Sequence, residues 1–249
     1  MQIKRAFGSR FFTGILFVVL PLATNHLVQV QSTKPFNLIS LKEQQTEVNR
    51  LFEQAIEQYR IGQFSTALQT YQQVLQLQKQ LNNQAGIAAT LNNIGEVYTS
   101  LSKYNLALDV LQQALTIRQK LDDQAGIGQT LNNLGFVYRL LGEYPKALEL
   151  HQQSLDIAKQ VKNPAISGEA LHNIAAVYAA QGDYNQALKL YQQALIIRKQ
   201  VGERRDEGRT LNNIGGVYFS LGEYQEAINY YQQALAIRRT LKDRAGIGQ

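Results

Sequence analysis

The sequence predicts an all-α solenoid of stacked helix-turn-helix units, and three observations carry that expectation. Tyr98, Tyr138, Tyr178 and Tyr218 recur at a spacing of 40 residues, as do Ala107, Ala147, Ala187 and Ala227. Such a period marks a repeat architecture in which each unit covers the apolar face of its neighbour. Within a unit the apolar residues fall at helical intervals; Leu131, Leu134, Gly135 and Tyr138 form one stripe. The chain has no cysteine, so disulfides and thiolate metal sites are excluded and packing alone must hold the fold.

Taken from the N-terminus, residues 1–33 read as an export signal or an N-terminal anchor. Lys4, Arg5 and Arg10 precede the apolar run from Phe11 to Ala23, which is too short to span a bilayer comfortably. Ala23 suits the last residue of a cleaved leader, whereas Pro21 stands where a small residue is expected, so cleavage and retention both remain open. The expected location is periplasmic or extracellular, or membrane-anchored and facing outward. Residues 34–44 read as a polar linker containing Pro35. The formal charge of +6 includes three positive residues of the leader and no acidic one there, leaving +3 for the rest. That is weakly basic and argues against a nucleic-acid surface, which would gather Lys and Arg on one face.

The array then covers residues 45–249. Four close copies span about 85–124, 125–164, 165–204 and 205–244, preceded by a divergent unit at about 45–84 in which Gly62, Phe64, Ala67 and Tyr71 keep register. In the unit 125–164 a first helix is expected near 125–141. A turn at Leu141, Gly142 and Glu143 follows, and Pro145 fits the next helix's first turn, where its missing N–H is not needed. Ala147, Leu148, Leu155 and Ile157 belong to that second helix, and Asn163 with Pro164 starts the next unit. Gly135 and Ala147 are small where the stripe should be bulky, which lets two helix backbones approach. Paired glutamines such as Gln152 and Gln153 are expected to face water. Arg118, Arg198 and Arg238 sit near the ends of second helices, where positive charge favours the helix dipole. Residues 245–249 copy Ala125 to Gln129 and read as an incomplete sixth unit. The C-terminal end is then open: either the sequence is a fragment, or a partner or a second copy covers it.

The spacing of Leu131, Leu134, Gly135, Tyr138, Gly142, Tyr144 and Ala147 resembles the tetratricopeptide repeat, whose signature has Trp, Leu, Gly, Tyr and Ala at these offsets over about 34 residues. The longer period, and Leu in place of Trp, resemble the 40-residue subclass found in kinesin light chains, in Pins-type adaptors and in glutamine-rich bacterial arrays. The resemblance covers about 45–249. It implies a right-handed α-solenoid whose first helices line a concave groove.

Each unit repeats a helix-weak asparagine pair in its first helix, as in TLNNLG at 130–135. On a helical wheel Asn133 lies roughly 200° from Leu131, away from the packed stripe. The resemblance implies that this face looks into the groove, where Asn93, Asn133, Asn173 and Asn213 would form a ladder. A side-chain amide offers both a donor and an acceptor to the backbone of an extended peptide. The other reading is that each Asn bonds a neighbouring helix and fixes repeat geometry. The first member of each pair (Asn92, Asn132 and Asn212, with His172 in one unit) lies nearer the edge and is expected to be structural. Around the ladder the face carries Phe136, Arg139 and Leu140, then Glu169 and His172, then Arg209 and Phe219. Apolar side chains on a face not needed for helix pairing mark a binding surface or pack on the adjoining repeat. Arg139 and Arg209 suit an acidic side chain or a carboxylate.

No catalytic constellation is evident. His26, His151 and His172 have no metal-ligand spacing, Gly126 and Gly128 do not continue into a phosphate loop, and no serine stands in a nucleophile elbow. The expected function is a non-catalytic scaffold, with no cofactor or metal, that binds a protein or peptide segment in its groove. Two alternatives stand: the N-terminal recognition arm of a longer, caspase-like peptidase-containing protein, or a self-assembling module using its C-terminal end. No nucleic-acid partner is expected, and membrane contact only through an uncleaved N-terminal segment.

Overall fold

The computed structural model describes residues 34–241, with side chains from Leu41 onward. The leader at 1–33 and the partial sixth unit at 245–249 lie outside the described residues. Ten helices occupy the described residues: α1 (Lys34–Arg60), α2 (Phe64–Gln80), α3 (Gln84–Ser100), α4 (Tyr104–Lys120), α5 (Gln124–Leu140), α6 (Tyr144–Gln160), α7 (Pro164–Ala180), α8 (Tyr184–Val201), α9 (Arg204–Ser220) and α10 (Tyr224–Thr240). The odd-numbered helices are the first helices of the five units. One expectation changes: α1 begins at Lys34, so the stretch 34–44 read as a linker is helical. Pro35 does not oppose this, because its position in the first turn requires no N–H donor.

The 40-residue period divides into two turns of one design. A residue in the left-handed region stands every 20 positions, from Gly62 through Asn82, Ser102, Asp122, Gly142, Lys162, Gly182 and Gly202 to Gly222. After α5, Gly142 N–H donates to Arg139 O at 3.1 Å and Glu143 N–H to Tyr138 O at 2.9 Å. These two bonds satisfy the last carbonyls of the helix and reverse the chain within three residues. The following helix is capped in several units by an Asx side chain: Gly126 N–H donates to Asp123 Oδ1 at 2.9 Å and Ile166 N–H to Asn163 Oδ1 at 3.2 Å. Pro145 and Pro164 occupy first turns, as their sequence positions suggest.

Each second helix from α2 to α8 is held between the first helix of its own unit and that of the next, so the core is continuous across these unit boundaries. Leu111 and Leu115 of α4 pack with Ile127, Leu131 and Leu134 of α5, and Leu150 of α6 joins them. Close approach depends on the small residues. A Cβ on Gly135 would stand 2.7 Å from His151 Cε1, and one on Gly95 would stand 2.5 Å from Leu111 Cγ. Ala147 is fully buried. Ala147→Leu is expected to overpack that contact by about 1 to 3 kcal/mol and to lower the melting temperature. An unchanged melting curve would remove Ala147 from the close helix pairing.

Two of the arginines at the ends of second helices are buried. Arg118 and Arg198 are 5% and 1% exposed. Each guanidinium reaches the first turn of the next unit: Arg118 Nη1 donates to Gly126 O, and Arg198 Nη1 donates to Asp206 O at 2.8 Å. They pin α5 on α4 and α9 on α8. Their last-turn positions are those the sequence suggests, but single-helix position says nothing of the neighbour that covers them.

Candidate functional site

The array curves toward its first helices. Helices α3, α5, α7 and α9 contact one another in succession, whereas the second helices make no comparable approach. The asparagine-bearing helices are therefore the inner wall. One cleft on this wall draws residues from these four and from α1: Tyr59 from α1, Glu96, Thr99 and Ser100 from α3, Asn133 and Phe136 from α5, Glu169 and Asn173 from α7, and Arg209 from α9. Helices α1 and α9 thus face each other across it, and Tyr59 Oη lies 3.1 Å from Ser100 Oγ. Its cavity volume, about 170 Å³, suits a ligand side chain rather than a folded surface. A second cleft of about 420 Å³ lies toward the C-terminal half, lined by Arg139, by Ala176 and Ala179 of α7, by Tyr184 and Tyr191 of α8, by Asn212, Asn213, Gly216 and Ser220 of α9, and by Tyr231 of α10.

The four ladder asparagines do not stand alike. Asn93 Nδ2 donates to Tyr71 Oη at 3.2 Å, and Asn213 Nδ2 lies 3.4 Å from Tyr191 Oη. Each amide reaches back 22 residues to a tyrosine on the preceding second helix. At the register of those tyrosines, the units between carry Leu111 and His151. With no hydroxyl at 111, Asn133 turns to the preceding first helix, donating to Glu96 Oε1 at 2.8 Å and Asn92 Oδ1 at 3.1 Å. Asn173 is buried in the first cleft. The inter-repeat reading therefore describes part of what Asn93, Asn133 and Asn213 do. Asn133, Asn173 and Asn213 also line clefts, so the two readings are not exclusive.

Glu96 is the electrostatic centre of the first cleft. Its Oε1 accepts from Asn92 Nδ2 at 3.1 Å as well as from Asn133. Burial pushes its carboxyl up to about 7, and the nearby Glu169 adds to the rise; Asn133, Asn92 and Arg209 oppose it. Arg209 is also paired with Asp206 at 3.1 Å, so its charge is shared between that carboxylate and the glutamates of the cleft.

His172, read both as a structural first member of its pair and as part of the groove face, is 3% exposed and lines neither cleft, in keeping with the structural reading. Its Nδ1 lies 3.2 Å from Arg198 Nη1, its Nε2 lies 3.2 Å from Asn213 Nδ2, and its ring meets Tyr191 edge-on at 5.1 Å. Burial, with Arg209, Arg198 and Arg139 nearby, holds its pKa well below the usual histidine range. An arginine can only donate, so Nδ1 accepts and His172 is a neutral inter-repeat tie rather than a ligand contact. Burial likewise brings Arg198 down to about 10.

The other candidates divide. Phe136 and Glu169 line the first cleft with Arg209, while Arg139 lines the second. Leu140 and Phe219 are 38% and 60% exposed but line neither cleft; Phe219 packs edge-on against Tyr224 at 5.5 Å. Residues that the sequence reading passed over include Tyr59, Ser100, Tyr184 and Tyr191. For Tyr191 the available signal was repeat register rather than residue type: 71, 111, 151, 191 and 231 are one position of the repeat, holding Tyr, Leu, His, Tyr and Tyr.

Comparisons with known proteins agree with this geometry. A family model described as tetratricopeptide repeat matches residues 86–160 and 167–240. No curated protein matches. Among solved structures, the chain is similar to the Rap conjugation gene regulator of the plasmid pLS20 in complex with the Phr* peptide, with a TM-score of 0.75 and 15% identity, over 88% of this chain and 60% of that one. A Rap protein complexed with Competence and Sporulation Factor gives a TM-score of 0.73 at 18% identity, over 86% and 61% of the two chains. A putative kinesin light chain from Podosopora anserina gives 0.55 at 20% identity, over 78% and 96%. The chain spans about three fifths of the length of the Rap structures, and at these identities the likeness is one of fold. With the family model covering more than half of the sequence, the chain belongs to the tetratricopeptide repeat family.

Proposed function

We propose that this protein is a non-catalytic scaffold that binds a peptide, or an extended segment of a protein, along its concave face. The observation that carries the reading is the first cleft, in which α1, α3, α5, α7 and α9 all place polar side chains around Phe136. A continuous inner wall of amides, hydroxyls and carboxyls can satisfy a peptide backbone, while a small cleft takes an anchoring side chain. The two Rap structures, similar in fold, hold a peptide and Competence and Sporulation Factor respectively, and this supports the same use here. The basic start and apolar run at residues 4–23 support a ligand met outside the cytoplasm; a full-length chain found only in the cytoplasmic fraction would overturn that placement.

Selection from a random-sequence peptide library tests the groove. Ser100 is exposed at the rim of the first cleft, so Ser100→Trp should fill the cleft without disturbing the core. Selected peptides are expected to lose about tenfold or more in affinity for this variant, corresponding to about 1.4 kcal/mol. Gln152→Trp, on the water-facing side of α6, serves as the control and should bind like the parent. Peptides that bind the parent and Ser100→Trp equally would show that the groove is not the site.

A further inference from the structure

Asn173 differs from the other ladder asparagines in having no side-chain hydrogen bond among the described residues. Asn93 donates to Tyr71, Asn133 to Glu96 and Asn92, and Asn213 reaches the His172 ring. Asn173 is only 5% exposed, and it lines the first cleft. A buried amide without a partner is unfavourable on its own. Two carboxyls of the same cleft are short of donors as well. Asn92 and Asn133 both donate to Glu96 Oε1, which leaves Glu96 Oε2 without a hydrogen bond among the described residues. Glu169 has neither a hydrogen bond nor an ion pair among them, and it stands near enough to Glu96 to act on it electrostatically.

Each acid belongs to one unit alone. At the repeat spacing the counterparts of Glu96 are Phe136, Ala176 and Gly216, and those of Glu169 are Ala89, Gln129 and Arg209. Helices α3 and α7, two units apart, thus bring to one cleft two carboxyls that the repeat itself does not supply. The cations around them are engaged. Arg118 and Arg198 donate to the carbonyls of Gly126 and Asp206, Arg209 is shared with Asp206, and Glu203 adds a further negative charge near Glu169. Glu96 Oε2, the Glu169 carboxylate and the Asn173 amide oxygen are three acceptors lacking donors. They match the three N–H groups of one primary ammonium, while Phe136 offers an apolar, π-faced wall to the methylenes that carry it. The second cleft has the opposite character: Arg139 lines it and no carboxylate does.

We propose that the first cleft is an ammonium subsite of the groove, in which Glu96, Glu169 and Asn173 hold the amine of a lysine side chain or of the bound peptide's N-terminus. The proposal rests on the groove reading and adds ligand class and position: the amine seats between α3 and α7 and is excluded from the Arg139 end.

The test is selection from one random-sequence peptide library, displayed with free N-termini, against the parent and Glu169→Gln. Peptides enriched by the parent are expected to carry Lys at a fixed place, or to begin at a fixed place. Acetylating that amine should weaken binding about tenfold, the scale of a hydrogen-bonded charge. Side-chain and N-terminal acetylation are made separately, and the arm that causes the loss identifies the source of the amine. Glu169→Gln should bind the original peptides about tenfold more weakly, and acetylation should cost it about threefold or less, because the charge that the amine met is gone. Gln is the residue this register holds at 129, so the fold accepts it; Glu169→Ala, which restores the residue found at 89, repeats the measurement in a second side chain. Equal lysine content and equal affinity in the parent and Glu169→Gln selections, with binding still sensitive to Ser100→Trp, would overturn the subsite and leave the groove standing. Enrichment of arginine with no preference for lysine would overturn the ammonium match in the same way. Peptides insensitive to Ser100→Trp would overturn both.

Discussion

Replacing His151 by leucine is expected to remove an acid sensitivity of about 3 kcal/mol at pH 4. His151 is fully buried between α5 and α6; it donates from Nδ1 to Asn132 Oδ1 at 3.0 Å, while Nε2 has no partner. Burial, helped by the charge of Arg139, lowers its pKa to about 3, against about 6.5 in an unfolded chain. A histidine with a depressed folded pKa binds fewer protons when native, so its contribution is complete above pH 6.5 and is lost progressively as pH falls toward 3. At pH 4 the loss amounts to about 2.5 pH units, or about 3 kcal/mol. His172 acts in the same direction, and it remains in the variant. Leucine is the natural probe, because the register of His151 holds Leu111 against Gly95 one unit earlier. Urea midpoints for parent and variant at pH 7.5 and pH 4 make the measurement. The two should converge at neutral pH, within about 1 kcal/mol for one hydrogen bond lost and one unpartnered nitrogen removed, and should separate in acid with the leucine variant the more stable. Parallel pH profiles would mean that His151 is protonated as easily in the folded protein as outside it.

The solenoid was legible because its determinants are local and repeated. Ala147, Gly135 and the stripe of Leu131, Leu134 and Tyr138 specify a close helix pair within one unit, and the period then stacks the pairs. Turn chemistry was partly legible: Gly142 announces a left-handed turn, but Ser102 and Lys162 adopt the same conformation without a residue type that signals it. The site was less legible because its decisive contacts cross unit boundaries. A wheel drawn for α7 puts His172 on a flank facing the groove, yet Arg198 of α8 and Asn213 of α9 close over it. The same boundary hid the roles of Arg118 and Arg198, whose hydrogen bonds end in the following unit. Asn133 shows the limit most plainly. Asn133, with leucine at 111, bonds Asn92 and Glu96, whereas Asn213 lies against both Tyr191 and His172, so identical TLNN motifs make different bonds.

Glu96→Gln is expected to stabilise the protein at pH 8 by up to about 3 kcal/mol while weakening ligand binding. In the fold the carboxyl is pushed up to about 7, about 2.5 units above its ordinary value. A carboxyl raised in this way contributes stability fully below the unfolded pKa and loses it as pH rises through 7, because the folded protein must then hold an ionised group short of water. Glutamine keeps the oxygen that accepts from Asn92 and Asn133 and never ionises. Parent and variant should therefore be equally stable near pH 4, where both side chains are neutral, and should diverge up to pH 8. A difference that does not change with pH would show that burial does not govern this carboxyl. The binding arm runs the other way. Peptides selected on the parent, which meet Glu96 in the first cleft, should bind the glutamine variant more weakly at pH 8 and similarly at pH 5. A purely structural residue would gain or lose stability and binding together. Opposite signs, with the better-folded variant the poorer binder above pH 7, would identify Glu96 as a group kept charged for its ligand at the expense of the fold.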